Sequence, residues 1–319
     1  MTDIESVGSL GQRIRGEMGK AIVGMDDVIE HLIAGLLSGG HVLLEGVPGT
    51  AKTLMVKVLA RCIGCEFKRV QMTPDLMPSD ILGVSIYDRH AERFVLRKGP
   101  IFTNLLLADE INRAPAKTQA ALLEAMEEAV VTIDGVDHEL QPPFMVFATQ
   151  NPIEHEGTYM LPEAQLDRFM FKVLVNYPSR EVESAMLKRH HAGFDPRALD
   201  ALGIQAVAGG ALIESCRQAV RRVEVQDDVA AYILDIVRGT RETAYLSLGG
   251  SPRASAILLA ACKAVAALRG RSFVTPDDAK EMARPTLRHR VLLQPEAELD
   301  GLTPDLAIDT VVSAIPVPR

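Results

Sequence analysis

A glycine-rich run, Gly46-Val47-Pro48-Gly49-Thr50-Ala51-Lys52-Thr53, joins a short aliphatic segment at 41–45 to a stretch of helical periodicity that begins at Leu54. A turn of this kind, entered from a strand, left through a helix and closing on Lys-Thr, has the form and context of a phosphate-binding loop. Its backbone N–H groups and the helix N-terminus can surround phosphate oxygens. Lys52 then neutralises the two outer phosphates of a nucleoside triphosphate, and the Thr53 hydroxyl is placed for Mg²⁺. One position departs from the usual pattern: Ala51 stands where a glycine normally precedes the lysine. A right-handed backbone at that position would tolerate the extra Cβ.

Downstream, Leu105-Leu106-Leu107-Ala108 runs into Asp109-Glu110. A continuous aliphatic run is what a strand buried on both faces requires, and in an open α/β sheet its C-terminal end lies beside the phosphate loop. Asp109 is then positioned to hold Mg²⁺ through water, and Glu110 to act as general base toward an attacking water. The next strand ends in Gln150-Asn151-Pro152, which makes Asn151 the candidate amide facing the terminal phosphate. Arg168 closes the run Leu161-Pro162-Glu163-Ala164-Gln165-Leu166-Asp167-Arg168-Phe169. Remote from its own loop in sequence, it is a candidate to serve a neighbouring subunit's phosphate. Arg253, opening a helix after Gly249-Gly250, is the candidate to reach phosphate from the C-terminal region; an arginine there opposes the helix dipole, which favours a functional reading.

Between residue 40 and about 177 the chain alternates short apolar runs with helical stretches, the pattern of a mainly parallel α/β sheet. Strands are expected at 41–45, 66–70, 105–109, 144–149 and 170–175. Two hairpins are expected outside that sheet, at 85–87 with 93–97, and at 130–134 with 136–140 across Asp134-Gly135. Beyond Pro178 strand signals vanish. Helices are expected at 180–191, 211–222, 228–243, 253–269 and 276–283, the last starting at Thr275 with Asp277 and Asp278 near the positive end of its dipole. The expected division is therefore 1–178, an α/β nucleotide-binding core with an N-terminal helical segment, and 179–319, an all-helical lid. The tail from 315 to 319 should be ordered only if it docks.

Composition narrows the function classes. With 34 Lys plus Arg against 42 Asp plus Glu, the formal charge is −8, and no basic cluster supports a primary nucleic-acid-binding role. No apolar run approaches the ~18 residues of a membrane span, and the acidic N-terminus lacks the form of a secretory signal, so the cytoplasm is the expected location and membrane insertion is not expected. Of the four cysteines, Cys62 and Cys65 form one CxxC pair. A closed zinc site wants four ligands, so core packing is the better reading. His190-His191 reads as a helix end suited to the dipole, Arg113 as either an interface or a surface residue, and Glu124, Glu127 and Glu128 as a solvated helix face.

Taken together, Gly46–Thr53 with Ala51 before the lysine, Asp109-Glu110-Ile111-Asn112-Arg113-Ala114-Pro115, Ala148-Thr149-Gln150-Asn151-Pro152, residues 161–169 and Ser251-Pro252-Arg253-Ala254 resemble the MoxR family of AAA+ ATPases, in the helix-2-insert group, over nearly the whole chain. The resemblance implies an AAA+ core with a five-stranded parallel sheet followed by a helical lid. It implies ATP and Mg²⁺ as ligands, with Asp109 and Glu110 as the Walker B pair, Asn151 as sensor 1, Arg168 as the arginine finger and Arg253 as sensor 2, in cis or in trans. Ala51 then looks like the family's own variant, the hairpins match the helix-2 insert and the pre-sensor-1 hairpin, and Val23 and Gly24 belong to the adenine pocket. It further implies a ring, usually hexameric, that remodels or matures protein clients with a partner carrying a von Willebrand factor A domain. Alternatives at this level are an ATP-gated scaffold with slow turnover and a magnesium-chelatase-like ATPase subunit.

Overall fold

The computed structural model describes residues 3–90, 92–152, 159–196 and 198–318; Arg319, the end of the expected tail, lies outside them. Strands β1 (His41–Glu45), β2 (Phe67–Gln71), β3 (Leu105–Asp109), β4 (Met145–Gln150) and β5 (Phe169–Leu174) form one sheet in the order β2-β3-β4-β1-β5, all neighbours parallel. β1 and β3 have the expected bounds. The other three are displaced by one residue, and the shift matters: β2 reaches Gln71, and β5 starts directly after Arg168.

Alternation along the inner strands divides their side chains between two cores. Val42, Leu44, Leu105, Leu107, Met145 and Phe147 join helices α1 (Ile4–Gly19), α2 (Asp26–Ser38) and α3 (Lys52–Cys62) in one; Leu43, Leu106, Ala108, Val146 and Ala148 face α4 (Ala116–Glu128) in the other. Both faces are covered, hence the unbroken apolar runs. Gly83–Asp88 pairs with Arg93–Lys98, and Val130–Ile133 with Val136–Glu139. The second turn has positive φ at both Asp134 and Gly135, as a tight hairpin demands.

The C-terminal region holds Arg180–His191, Gly210–Arg221, Asp227–Glu242, α5 (Pro252–Leu268), α6 (Pro276–Leu287) and Pro304–Ala314. It is not wholly helical, as the sequence suggested: Leu246–Leu248 pairs antiparallel with Leu292–Leu293, segments too short to show alternation. α6 continues past the expected end at residue 283 with Pro285 inside it, and the Arg288 N–H returns to the Arg284 carbonyl at 3.0 Å. Asp278 does more than face a dipole. Its carboxylate accepts the Thr275 N–H at 2.8 Å and pairs with Arg271 at 2.6 Å while fully buried. At the other end of the chain, Glu30 of α2 takes both Arg15 of α1 (3.1 Å) and Arg269 beyond α5 (3.3 Å), tying the N-terminal helices to the lid. The tail docks through Ile315.

Two ties fix the N-terminal edge of the sheet. His41 Nε2 meets the Met126 carbonyl at 2.9 Å, and its Nδ1 accepts the Val146 N–H at 2.9 Å, so the ring links β1, β4 and the end of α4 as a neutral imidazole. Arg290, after α6, donates to the Asp167 carboxylate (2.6 Å) and to the carbonyls of Asp167 (2.9 Å) and Phe169 (2.5 Å), clasping the turn that carries Arg168.

Burial depresses the His41 pKa from 6.5 to about 4. Below pH 6.5 the unfolded chain takes up a proton that the folded chain refuses. Stability should therefore fall with pH, by on the order of 1 kcal/mol per pH unit from this group between the two values. Urea unfolding at pH 7.5 and 5.5 checks this: the wild type loses stability on acidification, and a His41→Gln variant shows a shallower loss.

Candidate active site

The phosphate loop leaves β1 and enters α3 through a narrow gap. The Gly46 N–H donates to the Gln150 carbonyl at 3.2 Å, and a Cβ on Gly46 would stand 2.3 Å from the Val175 carbonyl, so only glycine fits between β4 and the end of β5. Gly49 has φ +86° and Ala51 φ +61°, ψ +17°. The expectation of a right-handed backbone at Ala51 is thus overturned. Successive N–H groups converge on one anion only where left-handed residues interrupt right-handed ones, and Ala51 takes such a position despite its Cβ, at a cost of about 1–2 kcal/mol. Lys52 Nζ donates to the carbonyls of Gly46 and Val47, both at 2.7 Å, while Thr50 Oγ1 closes the turn on Val47 at 2.9 Å. Desolvation lowers the Lys52 pKa, against the opposing pull of Asp109 and Glu110.

Asp109 ends β3 as a buried carboxylate. Its Oδ1 accepts from Thr149 Oγ1 at 2.5 Å; its Oδ2 accepts from Thr53 Oγ1 at 3.2 Å and from Arg69 Nε and Nη2 at 2.9 and 2.6 Å. The same Thr149 oxygen accepts the Glu110 N–H at 2.8 Å, so one hydroxyl on β4 orients both acids. Glu110 itself is left-handed, φ +59°, a strained conformation typical of functional positions. Its Oε2 accepts from Gln71 Nε2 at 2.8 Å and Arg113 Nη1 at 3.1 Å. Arg113, open between two readings in the sequence, is a partner of Glu110. The Thr53 hydroxyl and the Asp109 carboxylate offer two hard oxygen donors beside the loop, a set that fits Mg²⁺ shared with phosphate. Among the described residues no further cluster of His, Cys, Asp or Glu could hold a metal. Burial pushes the Cys62 thiol up to about 12, which leaves it packing material.

These groups line one cleft of about 470 Å³. Residues 48–54, Asp109, Glu110, Thr149 and Asn151 line its polar end; Ile22, Val23 and Met25, with Met186, Arg189, His190 and Phe194 of the C-terminal region, line its more apolar end. Gly46 and Val47 support the loop from behind. Gly24 also stands back: it abuts Val182 of the helix Arg180–His191 and lets the 22–25 turn lie against it. Arg168 and Arg253 do not reach this cleft. Arg168 precedes β5, and the pairing of His41 with Phe169 and Glu45 with Leu174 puts it at the opposite end of the sheet, on the order of 15 Å from the loop. Both arginines converge on Glu127, at 2.9 and 3.0 Å. Glu127 is therefore not a merely solvated side chain, and Arg253 does not line its own chain's cleft.

Residues 41–171 match the family described as ATPases associated with various cellular activities (AAA), and residues 238–311 match the AAA lid domain. The chain is 46% identical over 309 residues to the uncharacterized protein YeaC of Bacillus subtilis, spanning 97% of this chain and 95% of that one. It is 44% identical over 312 residues to Chaperone MoxR1 of Mycobacterium tuberculosis, spanning 95% and 81%. The chain belongs to the MoxR family of AAA+ ATPases. A crystal structure of a candidate ATPase from Cytophaga hutchinsonii superposes with a TM-score of 0.89 at 39% identity, over 98% of this chain and 96% of that one.

Within this MoxR-family site the sequence did not reveal Arg69, Gln71, Thr149 or the lid residues of the apolar end. The available signal was the polarity of β2, whose Lys68, Arg69 and Gln71 mark it as an edge strand. The left-handed Ala51 gives a direct test. Ala51→Gly should keep nucleotide affinity and raise stability by up to about 1 kcal/mol, measured by nucleotide titration and urea unfolding; Gly46→Ala should abolish nucleotide binding.

Proposed function

We propose that this MoxR-family chain hydrolyses ATP to ADP and phosphate at a site shared by two copies in a ring, and uses the turnover to remodel or mature protein clients. One observation carries the reading. Lys52, Thr53, Asp109, Glu110 and Asn151 meet in one cleft, while Arg168 and Arg253 are paired at the far end of the sheet with their side chains 28% and 49% exposed. Arginines that cannot reach their own cradle, yet lie together at the surface, suit the phosphate of an adjacent copy.

In the cleft, Lys52 binds the outer phosphates and Asn151 orients the terminal one. Thr53 and Asp109 would hold Mg²⁺, which would supply positive charge to offset that of the phosphates. Both bonds to Glu110 fall on Oε2, so Oε1 is the oxygen to take a proton from the attacking water. Gln71 and Arg113 keep that carboxylate aimed, and the apolar end between Val23 and Phe194 suits a purine base.

The family resemblance supports a ring, usually of six copies, and a partner with a von Willebrand factor A domain. The name of Chaperone MoxR1 supports the client role. Among the described residues no helix is long and apolar enough to cross a membrane.

Glu110→Gln should retain nucleotide binding and lose turnover by roughly two to four orders of magnitude. Arg168→Ala should lose about 10³-fold with affinity for ATP in its own cleft unchanged. Steady-state phosphate release with parallel nucleotide titrations reads both; wild-type turnover in Glu110→Gln contradicts the hydrolytic assignment. For the client, proteins retained by Glu110→Gln with ATP and shed with ADP are the expected outcome.

A further inference from the structure

Glu127 lies one residue before the end of α4, where three separate elements meet. Its two carboxylate oxygens are shared out: Oε2 accepts from Arg168 Nε at 2.9 Å, and Oε1 from Arg253 Nη1 at 3.0 Å. Arg168 belongs to the turn before β5 and Arg253 to the first turn of the lid helix α5. Two guanidiniums this close repel each other, and a carboxylate between them is what lets them stay together. They in turn hold the Glu127 carboxyl below the usual carboxylate range, Arg168 most.

The bridge has firm supports. His41 bonds the carbonyl of Met126, the residue before Glu127, at 2.9 Å, and Arg290 grips Asp167, the residue before Arg168, at 2.6 Å. Among the described residues Arg168 spends Nε and Arg253 spends Nη1 on the carboxylate, which leaves the terminal nitrogens of Arg168 and the rest of the Arg253 fork for a second anion. With Glu127 35% exposed and the arginines at 28% and 49%, such ion pairs contribute little to stability.

We propose that Glu127 is a positioning residue for the neighbouring subunit's active site: it holds Arg168 of the core and Arg253 of the lid as one unit aimed at that neighbour's nucleotide phosphate. Core–lid geometry in one copy thereby becomes a condition for hydrolysis in the next. This rests on the shared-site reading above and adds to it the group that sets the spacing of the two cations.

Subunit mixing tests it. Glu127→Ala should lower ATP turnover about 10- to 100-fold, with its thermal midpoint, assembly and binding of a fluorescent ATP analogue unchanged. Glu127→Gln should lose as much, since its amide nitrogen opposes one guanidinium. Mixed with Lys52→Ala subunits, which lack a working cradle but keep Glu127, Arg168 and Arg253, either variant should regain turnover per competent cradle. An Arg168→Ala mixture with the same partner is the control for the shared site. Wild-type turnover in both Glu127 variants overturns the proposal, as does rescue of Arg168→Ala without rescue of Glu127→Ala. Loss of assembly in both variants makes Glu127 structural and also overturns it. If Arg168→Ala itself is not rescued, the shared-site reading fails and takes the proposal with it.

Discussion

All five central strands run in one direction, and the functional layout depends on that. Everything at their C-terminal ends is brought to one cleft: the phosphate loop after β1, the acids at the end of β3, and Thr149 and Asn151 at the end of β4. Everything at their N-terminal ends is held away from it. Arg168 stands at the start of β5, so the strand that seats Gly46 at one end carries this arginine at the other. A chain built this way carries its phosphate cradle and its Arg168–Glu127–Arg253 cluster on two separate surfaces.

Within the cleft, polar groups are tightly cross-tied at some cost in backbone strain. Thr149 connects the two acids, and Arg69 places a positive charge on Asp109, the same oxygen that faces Thr53. Glu110 and Ala51 both occupy left-handed backbone, and the packed strands and loop around them supply the constraint that keeps them there. At the opposite edge, His41 and Arg290 do comparable work for Glu127 and Arg168. The C-terminal region contributes twice: its helix Arg180–His191 walls the apolar end of the cleft, and α5 and the segment after α6 hold Arg253 and Arg168 at the opposite end of the sheet.

Much of this was legible in the sequence because it is local. The strand–loop–helix context gave the phosphate cradle, the run ending in Asp109-Glu110 gave the buried strand and its acids, and Asp134-Gly135 gave a hairpin. What escaped notice depends on residues distant in the chain. The pairing of Gln71 with Glu110 follows from the register of β2 against β3 and from a strand end one residue later than expected. The pairing of Glu127 with two arginines joins three elements that no periodicity links, and its helix position looks merely solvated. The left-handed Ala51 was misjudged for another reason: an alanine carries no sequence mark of positive φ. The short ladder at Leu246–Leu248 has too few residues for alternation to show.

The central claim is that one chain holds only part of the catalytic machinery. Specific ATP turnover measured across a dilution series, with the assembled fraction followed by sedimentation, tests it most directly. Turnover per subunit should rise with the assembled fraction and nearly vanish where only monomer sediments, while nucleotide binding persists. Constant turnover down to fully monomeric protein would contradict the account.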